Sequence, residues 1–169
     1  RIAEADFPRW TKRVVPRHED IVFSYEATLH RYAMIPEGFH GCLGRRMALV
    51  RPDTSKINPR WLYYAFLAPE WRSLMEANTL LGATVNRIPI AKFPDFKIRV
   101  CPRGTQDRIA SVLSAYDDLI ENNTRRIGVL EETVRSYWAA WLLTAQATSI
   151  PLGKLVSLVR TPVDPGTVE

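Results

Sequence analysis

The 169-residue chain holds only two cysteines, Cys42 and Cys101, and three histidines, His18, His30 and His40. The cysteines have neither redox nor metal-ligand spacing, and two are too few for a disulfide framework. No histidine has a carboxylate or cysteine at a metal-ligand or triad spacing, so no metal is expected. No run of eighteen apolar residues exists, and Arg1-Ile2-Ala3-Glu4 does not begin a signal peptide. Neither a membrane span nor secretion is therefore expected, and a reducing cytoplasm is the simplest home. P-loop, Gly-x-Gly-x-x-Gly and His-Glu-x-x-His patterns are all missing, so the motifs point to no catalytic or cofactor site. A chain opening on Arg1 reads as a fragment or a trimmed chain.

One stretch invites a catalytic reading. Asn58-Pro59-Arg60-Trp61 is close to the Asn-Pro-Pro-aromatic run with which DNA amino-methyltransferases hold the target amine. Its third position is Arg, no glycine-rich cofactor loop precedes it, and helix capping explains it: Asn suits the N-cap, and proline suits the first helical position, where its missing N–H costs nothing.

What the chain does have is an uneven charge. Residues 1–104 contain 17 Lys plus Arg against 10 Asp plus Glu, a net of +7, while residues 105–169 contain 6 against 8, a net of −2. The first part is basic, mostly through arginine, whose fork matches phosphates and guanine edges. A polyanion is the expected partner, and nucleic acid is the usual one.

It also has a long apolar repeat. Ile109, Leu113, Tyr116, Ile120, Asn123, Ile127, Leu130, Val134, Tyr137 and Trp141 follow one another in alternating steps of four and three. The mean step of 3.5 keeps one seam facing a partner helix, the pattern of a coiled coil. At 1.5 Å per residue the seam is roughly 48 Å long. Asn123 trades some stability for register. A long helix lying on its own domain is the alternative.

Between these features the elements are short. Ile21-Val22-Phe23, Tyr32 to Ile35 and Met47 to Val50 read as strands, and residues 1–20 as a turn feeding the first. Helices are expected from Pro59 and from Pro69 to about Ala77. Pro89 and Pro94 exclude a regular helix, the alternation of Phe96-Lys97-Ile98-Arg99-Val100 reads as a strand with one wet face, and Thr105 caps the long helix. The connecting loops carry the candidate readers: Tyr25, His30 and Arg31; Arg45 and Arg46 on a glycine-rich loop; Asn86 and Arg87 after Gly82-Ala83-Thr84-Val85. Lys92 and Lys97 are candidate phosphate contacts. Solvated connections and merely solubilising charges are the competing reading of each. Beyond Leu142, Thr144 to Ser149 reads as a linker, followed by an apolar patch at Leu152, Leu155, Val156 and Leu158.

In this order the segments resemble a specificity subunit of a type I restriction–modification system. The resemblance is carried by Glu19-Asp20-Ile21-Val22-Phe23, Leu49-Val50-Arg51-Pro52, Pro59-x-Trp61-Leu62-Tyr63-Tyr64 with Leu67, Pro69 and Trp71, then Gly82-Ala83-Thr84-Val85 and Ile88-Pro89-Ile90. It continues in Gln106-x-x-Ile109-Ala110, Leu113-Ser114, Asp117-Asp118, Ile120-Glu121, Asn123 and Leu130-Glu131. Two departures stand out: the family often has glycines after its first strand, where this chain has Tyr25 to Leu29, and its usual Pro-Pro-Leu is Cys101-Pro102-Arg103-Gly104.

The resemblance implies an α+β fold: a mixed target recognition domain, residues 1–104, lacking its first part; a conserved coiled-coil spacer helix, 105–145; and a linker with the opening of a second repeat, 146–169. It further implies a non-catalytic subunit that binds a bipartite double-stranded DNA target and positions a methyltransferase subunit and a restriction subunit. S-adenosylmethionine and ATP with magnesium are expected on those partners. The seam would pair with a second copy of this chain or with the missing half. Two alternatives remain: a coiled-coil assembly protein without specific DNA binding, and a recognition module of a fused restriction–methylation enzyme.

Overall fold

Asp20 is the hinge on which the fold turns. Its carboxylate lies 1% exposed and accepts two hydrogen bonds from the Arg51 guanidinium, Nε at 2.8 Å and Nη2 at 2.7 Å, with a third from the Arg17 amide at 2.8 Å. Burial pushes this carboxyl up, but the Arg51 and Arg17 hydrogen bonds and charges outweigh it and hold the group below its ordinary value. The pair pins the start of β1 (Ile21–Ser24) to the end of β3 (Met47–Val50).

The computed structural model describes residues 3–82, 85–145 and 148–157. A 3-10 turn at Glu4–Asp6 leads into α1 (Phe7–Trp10), where an irregular turn was expected. β1, β2 (Tyr32–Met34) and β3 form an antiparallel sheet in the order β2-β1-β3, with Ile21 opposite Met34 and Val50. β1 is central and buried at all four residues, as its apolar run requires.

Alternation along the strands puts Ile21, Phe23, Ala48 and Val50 on the face that packs on α2 (Pro59–Leu67) and α3 (Pro69–Ala77). Asn58 caps α2: its side-chain oxygen accepts from the Trp61 amide at 3.0 Å, which accounts for the motif without chemistry. Trp61, Leu62, Phe66, Trp71 and Met75 fill the core, each buried side chain contributing about 2 kcal/mol. Phe66 stacks on Trp71 at 4.5 Å, and the Trp71 indole N–H donates to the Tyr32 hydroxyl at 3.0 Å.

Two expectations need correction. Phe96 to Val100 is not a strand, because among the described residues no neighbouring strand offers it a ladder; Phe96 and Ile98 pack on the core from an irregular segment that follows a 3-10 stretch, Ile90–Asp95, containing Pro94. The long helix α4 runs Arg103–Thr144. It therefore starts before Thr105, whose amide bonds the Pro102 carbonyl inside the first turn.

The chain divides into two units, residues 1–120 and 121–169, and α4 runs through the division. In the first unit the opening turns of α4 dock on α2. Buried Gln106 accepts from the Asn58 amide at 2.9 Å and donates to the Cys101 carbonyl at 2.8 Å. The Asn58 side-chain amide donates to Asp107, and the Tyr64 hydroxyl to Asp117, both at 2.7 Å. Burial, then that carboxylate, pushes the Tyr64 hydroxyl up.

In the second unit Ile127, Leu130, Val134, Tyr137 and Trp141 of the seam are all more than half exposed. Residues 148–157 include a 3-10 turn at Leu152–Lys154. Leu158 and the rest of the expected second repeat lie outside the described residues, as do Arg1, Ala83 and Thr84.

Arg51→Ala leaves the buried Asp20 carboxylate with only the Arg17 amide and should cost about 3 kcal/mol, whereas Arg51→Ala with Asp20→Asn should recover part of that loss. Chemical denaturation checks this; equal costs for the single and double variants would mean the pair is not coupled.

Candidate nucleic-acid interface

The end of the sheet opposite the Asp20–Arg51 pair is where β1 stops and β2 and β3 begin. There the backbone ties three loops together. The Tyr25 amide donates to the Arg46 carbonyl at 3.1 Å, the Ala27 amide to the Asn86 carbonyl at 3.0 Å, and the Ile88 amide to the Tyr25 carbonyl at 2.8 Å. The Ser24 amide donates to the Arg31 carbonyl at 3.0 Å, and the Ser24 hydroxyl to the Thr28 carbonyl. Leu80 and Arg87 exchange both backbone bonds, at 2.9 and 3.1 Å, closing a hairpin whose Arg87 also bridges to Glu26.

Seven of the nine expected readers are thereby gathered at one end. Arg31, Arg45, Arg46, Asn86 and Arg87 are exposed there. Tyr25 is half-buried, and its hydroxyl donates to the Arg45 carbonyl at 3.1 Å, so it holds the arginine loop in place. Arg46 approaches Glu26 at 3.5 Å, a solvent-screened pair that a phosphate can displace at little cost. His30 is withdrawn: its side chain is 17% exposed, 3.9 Å from Glu76. Lys92 and Lys97 are exposed elsewhere, Lys92 in the 3-10 stretch and Lys97 beside Trp71 and Leu74 in a hollow of about 370 Å³.

The loop after β1 is strained. Ala27 and His30 have φ of +65° and +60°, the left-handed region that costs a residue with a Cβ about 1–2 kcal/mol. The glycines that the resemblance leads one to expect near this point would adopt it freely. The His30 imidazole is held below its ordinary value, first by burial and then by the Arg72 charge, with Glu76 opposing. Its buried Nδ1 has no hydrogen-bond partner among the described residues.

Sequence reasoning missed Arg13. With Tyr25, Met47, Leu49, Leu80 and Arg87 it lines a cleft of about 570 Å³ beside the gathered loops. The Lys12-Arg13 pair was visible in the chain, but nothing local to it tells a cleft from a solvated turn.

Among the described residues no group of three or more His, Cys, Asp and Glu could hold a metal, and no helix is long and apolar enough to cross a membrane. The geometry offers arginine forks, an amide side chain and an apolar cleft, the inventory of a binding surface.

Comparison with known proteins agrees. The family described as the type I restriction modification DNA specificity domain matches residues 7–132. The fold is shared with a crystal structure described as the type I restriction-modification system S subunit from M. genitalium, with a TM-score of 0.62 and 21% identity over 79% of this chain. The chain spans about a third of that structure, 34% of its length. No curated protein matches.

A histidine with a folded pKa below its unfolded value binds protons more readily when unfolded, so its contribution is complete above about pH 6.5 and fades as the pH falls. Thermal unfolding of the wild type should therefore lose stability between pH 7 and pH 5.5 more steeply than His30→Asn, which tolerates the left-handed backbone and does not titrate. Parallel pH curves would show that His30 is not held neutral.

Proposed function

Because this chain belongs to the type I restriction-modification DNA specificity family, we propose that it is a non-catalytic DNA specificity component. Residues 1–104 form a recognition module for one half of a bipartite duplex target. Residues 105–145 act as spacer and docking surface, and residues 146–169 lead into a second repeat. What supports the reading is the gathering of Arg31, Arg45, Arg46, Asn86 and Arg87 at one end of a rigid sheet, on backbone bonds that do not depend on the side chains themselves.

Within it, Arg45, Arg46, Asn86 and Arg87 reach base edges in the major groove, where an arginine fork suits guanine and an amide suits adenine. Arg31, Lys92 and Lys97 contact phosphates, and Tyr25 and His30 hold the loops from within. The seam from Ile109 to Trp141 pairs as a coiled coil with a second helix, from a second copy or from the rest of a longer protein. That pairing fixes the spacing of two half-sites and presents a surface to a methyltransferase and a restriction subunit. S-adenosylmethionine, ATP and magnesium belong to those partners, and the complex works in the cytoplasm.

A duplex-binding titration tests this, with the preferred sequence first selected from random duplexes. Affinity should fall steeply as salt rises, because phosphate contacts release counterions. Arg46→Ala and Arg87→Ala should each cost about 1–3 kcal/mol and relax preference at one base pair. Weak binding with little salt dependence would favour an assembly protein whose basic unit is merely soluble.

A further inference from the structure

The cleft beside the gathered loops is lined by apolar side chains on a surface otherwise rich in arginine. Met47 and Leu49 of β3 line this cleft of about 570 Å³, and Tyr25, Ala48 and Ile88 join its wall to the core. Leu80, 46% exposed, lies along it, and Arg13 and Arg87 line it too. Leu80 is held by its two backbone bonds to Arg87, so the backbone positions that carry the apolar wall and the arginine are fixed relative to one another.

An apolar cleft could equally take a small molecule, but such a site needs polar groups that converge to orient the ligand. The lining side chains supply two guanidinium groups, a tyrosine whose hydroxyl is engaged by Arg45, and otherwise apolar atoms. Among the described residues the one buried side-chain polar atom without a partner is Nδ1 of His30, which does not line the cleft. The lining therefore matches a ligand that is anionic along its flanks and apolar at one point. A duplex has that character: its flanks are phosphates, and the one apolar group its base edges show in the major groove is the C5-methyl of thymine.

Building on the DNA-binding reading above, we propose that this cleft reads a thymine methyl, with Met47, Leu49 and Leu80 forming its apolar seat and Arg13 contacting the phosphate backbone beside it. The recognised half-site then contains at least one A·T pair whose methyl is sensed, next to the base pairs read by Arg46 and Arg87.

The test uses the whole chain and the duplex selected for it, with each thymine replaced in turn by deoxyuridine, which removes the methyl and nothing else. At least one replacement should weaken binding by about three- to fivefold, the effect of one buried methyl group. In Leu80→Ala and Met47→Ala that preference should shrink towards one, with secondary structure checked by circular dichroism. Arg13→Ala should weaken every duplex alike and lower the salt slope by about one. Wild-type protein that binds its target selectively yet ignores every uracil replacement overturns the proposal and leaves the DNA reading intact. So does a uracil effect that persists unchanged in both apolar variants. Absence of selective, salt-sensitive binding by the wild type would instead overturn the DNA reading on which the proposal rests.

Discussion

A strand buried along its whole length must have both ends anchored, and β1 is anchored differently at each. At its start the Asp20 carboxylate is satisfied by Arg51 and the Arg17 amide. A buried carboxylate without such partners would carry a penalty of several kcal/mol, so the geometry from Arg17 to Arg51 is closely constrained. At its other end no charge pair is buried among the described residues. Instead Ser24 and Tyr25 spend their backbone groups on Arg31, Arg46 and Ile88, leaving the side chains of the neighbouring loops to face outward. One end of the strand is built for rigidity, and the other presents chemistry.

The anchored end is also the end at which the long helix is tied down. The loop that leaves Arg51 reaches Asn58, whose backbone and side chain bond Gln106 and Asp107, while Arg103 donates to the Thr54 carbonyl at 2.7 Å. Tyr64 then bonds Asp117 further along. Within residues 1–120 the sheet, α2 and the opening turns of α4 thus form one hydrogen-bonded frame, with the gathered arginines at the far end of β1 from its attachment. That frame fixes where the long helix leaves residues 1–120 relative to the gathered loops.

Much of this was legible in the sequence. The three strands, the Asn58-Pro59 helix start, the second helix at Pro69 and the long helix beneath the 3.5-residue repeat are local signals, and each element forms where its pattern lies. Phe96 to Val100 was misread because alternation shows which side chains face inward, not whether a neighbouring strand exists. Thr105 was misread as a cap because the docked helix continues back to Arg103. The gathering of Tyr25, Arg45 and Arg87 could not be seen, since it depends on backbone bonds between residues far apart in the chain. The family resemblance supplied what composition could not, namely the order of a recognition domain followed by a long helix. Arg13 escaped both, because its place depends on a cleft formed with Met47 and Leu80.

The central claim is that duplex DNA meets the chain at the loop end of β1 and not at the anchored end. Hydrogen exchange of the backbone amides, with and without the selected duplex, tests it most directly. The account predicts added protection across residues 25–31, 44–47 and 86–91, with residues 51–58 unchanged. Protection confined to residues 51–58, or to α3, would contradict it.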